Sequence, residues 1–218
     1  MFWRLLPHAT CCLVSDRLFL LDLRQDRYFT VPDSPAASMR AWLQRGFACA
    51  PPDDVTAPLR RGRILRPGDP EPTNALKERV MIPTALDCPA VLDDATIPRG
   101  RQAAAIAAAW LRLRLRPLHR ILSARHYRSL PQPRGGSDAI SSLAARYELG
   151  RAHTPITRNC LLDSLALDSL LARRGLDVAL VFGVCPTPFS AHCWLQTPDL
   201  ILNDSFDHVS RFTPIYAS

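Results

Sequence analysis

Three residues of this 218-residue chain have types and spacing that could support thiol chemistry: Cys160, His192 and Asp204. Cys160 follows Thr157-Arg158-Asn159 and opens a leucine-rich stretch that reads as a helix. The partly positive start of a helix favours thiolate over thiol, and thiolate is the nucleophilic form. His192, in Ser190-Ala-His-Cys-Trp, is a suitable proton-exchange partner, because an imidazole titrates near neutral pH. Asp204 ends Leu200-Ile-Leu-Asn-Asp and could hold the imidazole in one tautomer. Together these are a nucleophile, a base and an orienter. Asp207 and His208 lie close enough in sequence to take the orienting or basic role instead. Taken singly, each residue has a plainer explanation: a buried helix cysteine, a core histidine, a turn-forming aspartate.

The elements that must position them have a clear grammar. Cys160 to Arg174 reads as a helix closed by Gly175. Val178, Leu180, Phe182 and Val184 alternate as in a strand, Ala191 to Gln196 forms a second strand, and Leu200 to Asn203 a third. Adjacent antiparallel strands would then set His192 beside Asp204. Upstream, Arg101 to Arg116 is an alanine- and leucine-rich helix stopped by Pro117. Leu118 to Leu130 is a further candidate helix, and Ser137-Asp138 caps another that ends at Gly150. The first segment reads as strands and then helices. Cys11 to Val14, Arg17 to Leu23 and Arg27 to Val31 are strand-like, with Arg24-Gln25-Asp26 as a hairpin turn. Ser34-Pro35 opens a helix ending at Gly46, and a shorter one runs from about Asp53 to Arg61. Arg66-Pro-Gly-Asp-Pro-Glu-Pro has the composition of a linker.

Composition excludes several classes. Apolar residues make up 47% and charged residues 22%, enough for a core without staples. The longest apolar run, Ala103 to Leu111, is far short of the roughly 20 residues a membrane span needs. With no secretory signal pattern, the expected location is the cytoplasm. The seven cysteines lack any CxxC pair, so neither a zinc knuckle nor a disulfide framework is indicated, and no metal is expected. A mixed set of Cys185, His192, Cys193 and His208 matches no known metal spacing. Net charge is +7, and Pro98 to Gly136 holds nine arginines with no acid. That block reads as a solvated face, or as a docking face for an anionic partner.

The motif Cys160-Leu161-x-x-Ser164-Leu165-Ala166-Leu167 is followed by Leu171-x-Arg173-Arg174-Gly175 and Phe182-Gly183-Val184. Pro188-Phe189-x-Ala191-His192-x-Trp194 and Leu202-Asn203-Asp204 complete it. This pattern resembles the lasso peptide biosynthesis B protein, a leader peptidase. The resemblance implies an α+β chain of two parts. Residues 1–70 would be a small winged-helix-like domain of a β-hairpin and three helices. Residues 75–218 would be a papain/transglutaminase-like cysteine protease domain. The first would bind the leader of a ribosomally made precursor peptide as an added strand against Arg27 to Val31 and the helix from Asp53 to Gly62. Tyr28, Phe29, Val55 and Leu59 are the candidate lining. The second would cleave the leader from the core peptide, with the Cys160 N–H as one oxyanion donor. The implied partners are the precursor peptide and an asparagine-synthetase-like macrolactam synthetase. ATP would be used by that synthetase, since this chain has no phosphate loop and needs no cofactor of its own. Leu162-Asp163 stands where the family often has Pro-Arg, which would alter substrate contacts. Cys193 replaces a common alanine and reads as a small packing residue.

Two other function classes are compatible with the same residues. One is a transglutaminase-like acyl transferase or deamidase. The other is a non-enzymatic peptide- or DNA-binding protein. The second is disfavoured because the short candidate helix begins with two acids, whereas nucleic acid binding calls for a basic recognition helix.

Overall fold

The computed structural model describes residues 2–15, 17–31, 41, 42, 45, 57, 59, 60, 62–68, 97–126 and 136–218. Strands β2 (Ala9–Val14), β3 (Arg17–Asp22) and β4 (Arg27–Val31) form an antiparallel meander in that order. The expected turn between β3 and β4 is present. Asp22 Oδ1 accepts the N–H of Arg24 at 2.8 Å and of Gln25 at 3.3 Å, which folds the chain back, and Asp26 takes a positive φ of 52°.

Five of the six β3 residues are buried, without the alternation of a half-exposed strand. The reason is that both faces of this sheet are covered. Leu18 and Leu20 pack with Leu5, Trp42, Leu59, Ile64 and Leu65 in a small core of the N-terminal segment. Phe19 and Leu21 point the other way, into the main core shared with the rest of the chain. Strand β1 (Phe2–Leu5) pairs antiparallel with β5 (Leu65–Gly68). The linker expected from Arg66 therefore begins later. Arg66, Pro67 and Gly68 are strand residues, and Pro67 is tolerated because a two-stranded ribbon leaves its outer side without a ladder partner. Most of the two N-terminal helices expected from sequence, and of the linker beyond Gly68, lies outside the described residues. Ala41, Trp42, Ala57, Leu59 and Arg60 are helical.

The second half is helical and then mostly strand. Helices α1 (Arg99–Leu115), α2 (Leu118–His126), α3 (Ser137–Arg151) and α4 (Cys160–Ala172) precede β6 (Ala179–Pro186) and β7 (Phe189–Gln196). A short α5 (Phe206–Val209) and β8 (Thr213–Ala217) follow. The chain is thus α+β, as the residue patterns imply. Helix boundaries fall within two or three residues of the expected ones. Gly136 rather than Ser137 is the N-cap of α3, and α4 ends at Ala172, before Gly175 with φ 71°. The part of the second candidate helix beyond His126 lies outside the described residues.

One strand expectation fails. The third strand of the sheet, whose order is β7-β6-β8, is β8 and not Leu200–Asn203. The Thr197 hydroxyl accepts the N–H groups of Asp199 and Leu200, curling that segment so that only Gln196 and Ile201 form a bridge. Pro214 masks β8 in the sequence; it is accommodated because β8 is an edge strand and the ladder shifts between Phe182 and Gly183.

Helix α4 is the axis of this half, with every residue from Leu162 to Leu171 buried. Its buried acids are paired. Asp168 accepts from Arg125 Nε at 3.0 Å, and Arg125 also donates to the carbonyls of Val178 and Ser218. Arg125 is thus a structural member of the arginine block, whereas Arg99, Arg101, Arg112, Arg114, Arg116 and Arg120 are exposed. The N-terminal sheet docks on this half through Thr10 Oγ1, which donates to the Ile215 carbonyl at 2.7 Å. The His119 N–H donates to the Leu23 carbonyl at 3.1 Å. Phe19, Leu21 and Leu23 share one core with Leu118, Leu122 and Ile215.

Candidate active site

The start of α4 is held by its own side chains. Asn159 is the N-cap, and its Oδ1 accepts the Leu162 N–H at 3.0 Å. Asp163 reaches back, and its Oδ2 accepts the Asn159 N–H at 3.1 Å. Its other oxygen takes the Arg151 Nε–H at 2.6 Å and the Tyr147 hydroxyl at 3.2 Å, while Arg151 also donates to the Thr157 carbonyl at 3.1 Å. Asp163 is buried. The expectation that Leu162-Asp163 alters substrate contacts is therefore not met at Asp163. The residue clamps the helix start instead. The result is that Cys160 occupies the first helical position, half-buried, at a rigid helix N-terminus.

Strand β7 supplies the next groups. His192 pairs across the ladder with Gly183. A Cβ at position 183 would lie 2.8 Å from Phe212 Cβ and 3.0 Å from the Trp194 ring, so only glycine leaves room for the rings on this face. The His192 ring stacks near Trp194 (centroids 6.0 Å apart, planes at 20°) and lies 5.2 Å from Phe212. Its Nε2 is hydrogen-bonded to Asp204 Oδ2, which leaves Nδ1 to face Cys160. Asp204 is not on a strand, as expected from sequence, but on the turn before α5. Two contacts fix that turn: Asn203 Oδ1 accepts the Leu195 N–H at 2.7 Å, and Asn203 Nδ2 donates to Ser164 Oγ at 2.9 Å. Ser164 lies one turn along α4 from Cys160, so the same asparagine ties helix, strand and turn together. Asp204 also accepts from the Ser205 N–H at 2.7 Å and from His208 Nδ1 at 3.0 Å. The structure thus brings Cys160, His192 and Asp204 together, with the His208 ring on the same carboxylate and against the His192 ring (centroids 4.7 Å apart). Asp207 is exposed, and the carboxylate bonded to His192 is that of Asp204.

The electrostatics follow from these contacts. The Cys193 thiol donates to the Cys160 sulfur and, together with His192 and the Cys193 N–H, holds the Cys160 pKa at about 4 against the opposing effect of burial. Burial works to lower the pKa of His192, but Asp204 and Cys160 outweigh it and push it up to about 9. Burial likewise works to raise Asp204, and donation from His192, His208 and Ser205 keeps it below the usual carboxylate value. The favoured state between about pH 4 and pH 9 is a thiolate–imidazolium pair.

Sequence reasoning missed Cys193. It is buried, and its own pKa is driven well above normal by the hydrogen bond to the Cys160 sulfur and by burial, so it stays a thiol and a donor. No sequence signal distinguishes it from a packing residue; only the position of the β7 edge against the start of α4 does. Cys193→Ala is expected to raise the pKa of Cys160, while Cys193→Ser, which keeps a donor, restores most of the shift. The pH dependence of iodoacetamide alkylation measures this, and an unchanged acid limb in Cys193→Ala would count against it.

The candidate leader-lining residues are divided by the sheet. Tyr28 packs on the main core face. Phe29 pairs across the ladder with Leu20 and faces the N-terminal core, in which Leu59 is buried; Val55 lies outside the described residues. The mixed set of Cys185, His192, Cys193 and His208, which its spacing already disfavours, does not come together among the described residues. Atoms of His192, Asp204 and His208 do lie within 4.8 Å of one another.

Residues 103–217, the segment that contains α4, the sheet and all three candidate groups, match the transglutaminase-like superfamily. The chain belongs to that superfamily. No curated protein and no solved structure matches it. Members of the transglutaminase-like superfamily include cysteine peptidases and transglutaminases, both of which pass an acyl group through a thiol. Among the described residues, no helix is long and apolar enough to cross a membrane.

Proposed function

We propose that this chain is a cysteine peptidase that removes the leader from a ribosomally made lasso precursor peptide. In this reading the Cys160 thiolate attacks the scissile carbonyl and forms an acyl-enzyme. His192, protonated in the resting pair, gives its proton to the leaving amine through Nδ1. It then takes a proton from the water that hydrolyses the thioester. Asp204 keeps Nε2 engaged, so that Nδ1 is the nitrogen that exchanges protons. The Cys160 N–H, at the helix start, stabilises the oxyanion. The observation that carries the thiol chemistry is the Cys160–His192–Asp204 chain with a depressed thiol pKa. The choice of precursor leader rests on the resemblance to lasso B proteins. The docking of the β2–β4 sheet onto the catalytic half supports it, because an N-terminal recognition unit would then sit where cleavage occurs. The core peptide would pass to the ATP-using, asparagine-synthetase-like macrolactam synthetase.

Acyl transfer to an amine remains open to the same site chemistry. The test is to incubate the full chain with lasso precursor peptides and a labelled primary amine, and to read the products by mass spectrometry. Free leader and core without adduct is the expected result. An amine adduct would favour the transferase, and an uncut, unmodified precursor would overturn the leader peptidase reading. The full chain is needed because a fragment of residues 1–70 would expose Phe19, Leu21 and Leu23, which pack against the rest of the protein.

A further inference from the structure

Strand β4 is an edge strand of the β2-β3-β4 sheet among the described residues, and Arg27, Phe29 and Thr30 along it are exposed. Its two faces look at different parts of the molecule. Phe29 faces the N-terminal core, whereas Tyr28 packs toward the catalytic half. There the Tyr28 ring meets Phe189 edge-on, with centroids 6.0 Å apart, and Phe189 stacks with Phe19 at 6.0 Å with planes 4° apart. Tyr28 also lies near both Cys160 and Cys193. Phe189 is 52% exposed, although it is a large aromatic side chain at the mouth of the catalytic sheet.

Along β7, residues 189, 191 and 193 share one face, each about 7 Å from the next. Cys193 touches the Cys160 sulfur, Ala191 is exposed, and Phe189 stands beyond it. Ala191 and Phe189 thus line up along this face of β7, leading away from Cys160. Ala191 offers a methyl group there, Phe189 stands at the far end, and Tyr28 from the N-terminal sheet lies against the Phe189 ring.

We propose that Tyr28, Phe189 and Ala191 form a substrate subsite that takes an aromatic or long aliphatic side chain of an extended peptide, close to the bond held at Cys160. An extended chain lying along the β4 edge, which is unpaired among the described residues, projects alternate side chains to opposite faces. One set would face Phe29, and the other would meet Tyr28, Phe189 and Ala191. The same strand that would hold the substrate backbone then also shapes the pocket at the reacting sulfur. The subsite extends the peptidase reading but needs only that Cys160 react with a peptide-like group. The exposed Phe189 ring, the partly buried Tyr28 ring and the Ala191 methyl group favour an apolar side chain over a charged one, since a carboxylate there would lose hydration without gaining a partner.

The test uses three alkylating probes on the full chain: iodoacetamide, N-(2-phenylethyl)iodoacetamide and N-(2-carboxyethyl)iodoacetamide. Each rate at Cys160 is divided by the rate of the same probe with glutathione. The phenylethyl probe is expected to exceed iodoacetamide by about tenfold, which corresponds to about 1.4 kcal/mol, and the carboxyethyl probe to show no gain. Phe189→Ala and Tyr28→Ala should each reduce the phenylethyl preference at least severalfold, and Phe189→Leu should retain most of it. Phe189 is at the surface, so its variants test the subsite even where Tyr28→Ala disturbs packing. Equal normalised rates for the three probes, or a preference that survives both alanine substitutions, would overturn the subsite. Slow alkylation by iodoacetamide itself would instead remove the activated Cys160, and with it the peptidase reading and the subsite together. A fast, selective thiol in a protein that leaves its precursor uncut would retain the subsite while the leader reading fell.

Discussion

Cys160→Ala is expected to abolish cleavage of the precursor while leaving its binding intact. The loss follows from the site: no other described thiol sits at a helix start with a histidine against it. Cys193 is the nearest alternative, but it is buried and held protonated. Removing a nucleophile from a coupled set typically costs on the order of 10³-fold or more in kcat. The substitution removes one half-buried sulfur and leaves the Asn159 and Asp163 clamp untouched, so the fold and the β4 edge should persist. Product formation by mass spectrometry and precursor affinity by fluorescence anisotropy give the two readouts. Retained cleavage would remove Cys160 from the role of nucleophile. Loss of binding along with cleavage would mean that recognition and chemistry are not separable in the way proposed.

The second large effect concerns Asp204. In the peptidase reading, the wild-type protein should show kcat/KM that rises with pH as Cys160 ionises at about 4 and falls as His192 loses its proton at about 9. The acid limb belongs to the thiolate needed for attack, and the alkaline limb to the imidazolium needed to protonate the leaving amine. Asp204 is one of the groups that raise His192. Asp204→Asn removes that charge, so the His192 pKa must move down toward its ordinary value. The alkaline limb then shifts to lower pH and the plateau narrows from that side. Cys160, which the imidazolium helps to keep ionised, shifts upward, narrowing the plateau from the acid side as well. With the imidazole less well charged and less well oriented, kcat should fall by roughly 10²- to 10⁴-fold. Asp207→Asn, at an exposed position on α5, should leave both limbs where they are. A profile unaltered by Asp204→Asn but altered by Asp207→Asn would reverse the two assignments.

The three candidate groups were legible in the sequence because each carries a local signature. Cys160 follows a capping asparagine and opens a leucine-rich helix. His192 lies in an alternating strand. Asp204 follows soon after, within reach of one turn. The helices of the second half were legible for the same reason, since periodicity and caps are properties of neighbouring residues. The turn at Leu200–Asn203 was misread because an apolar run of four has no periodicity to separate strand from loop. Side-chain acceptance by Thr197 and Asn203 decided it. β8 was missed because Pro214 weakens its strand pattern, and only the edge position makes the proline harmless.

The chain order of residues determined which groups were candidates to act, and their types pointed to thiol chemistry. Tertiary structure decided what surrounds them. Cys193 becomes a hydrogen-bond donor to Cys160 only because the β7 edge meets the start of α4. Tyr28 and Cys160, far apart in sequence, become neighbours only because a sheet covered on both faces has one side packed on the catalytic half. Burial and contact between distant segments depend on how whole elements pack, and no local window of sequence contains that information.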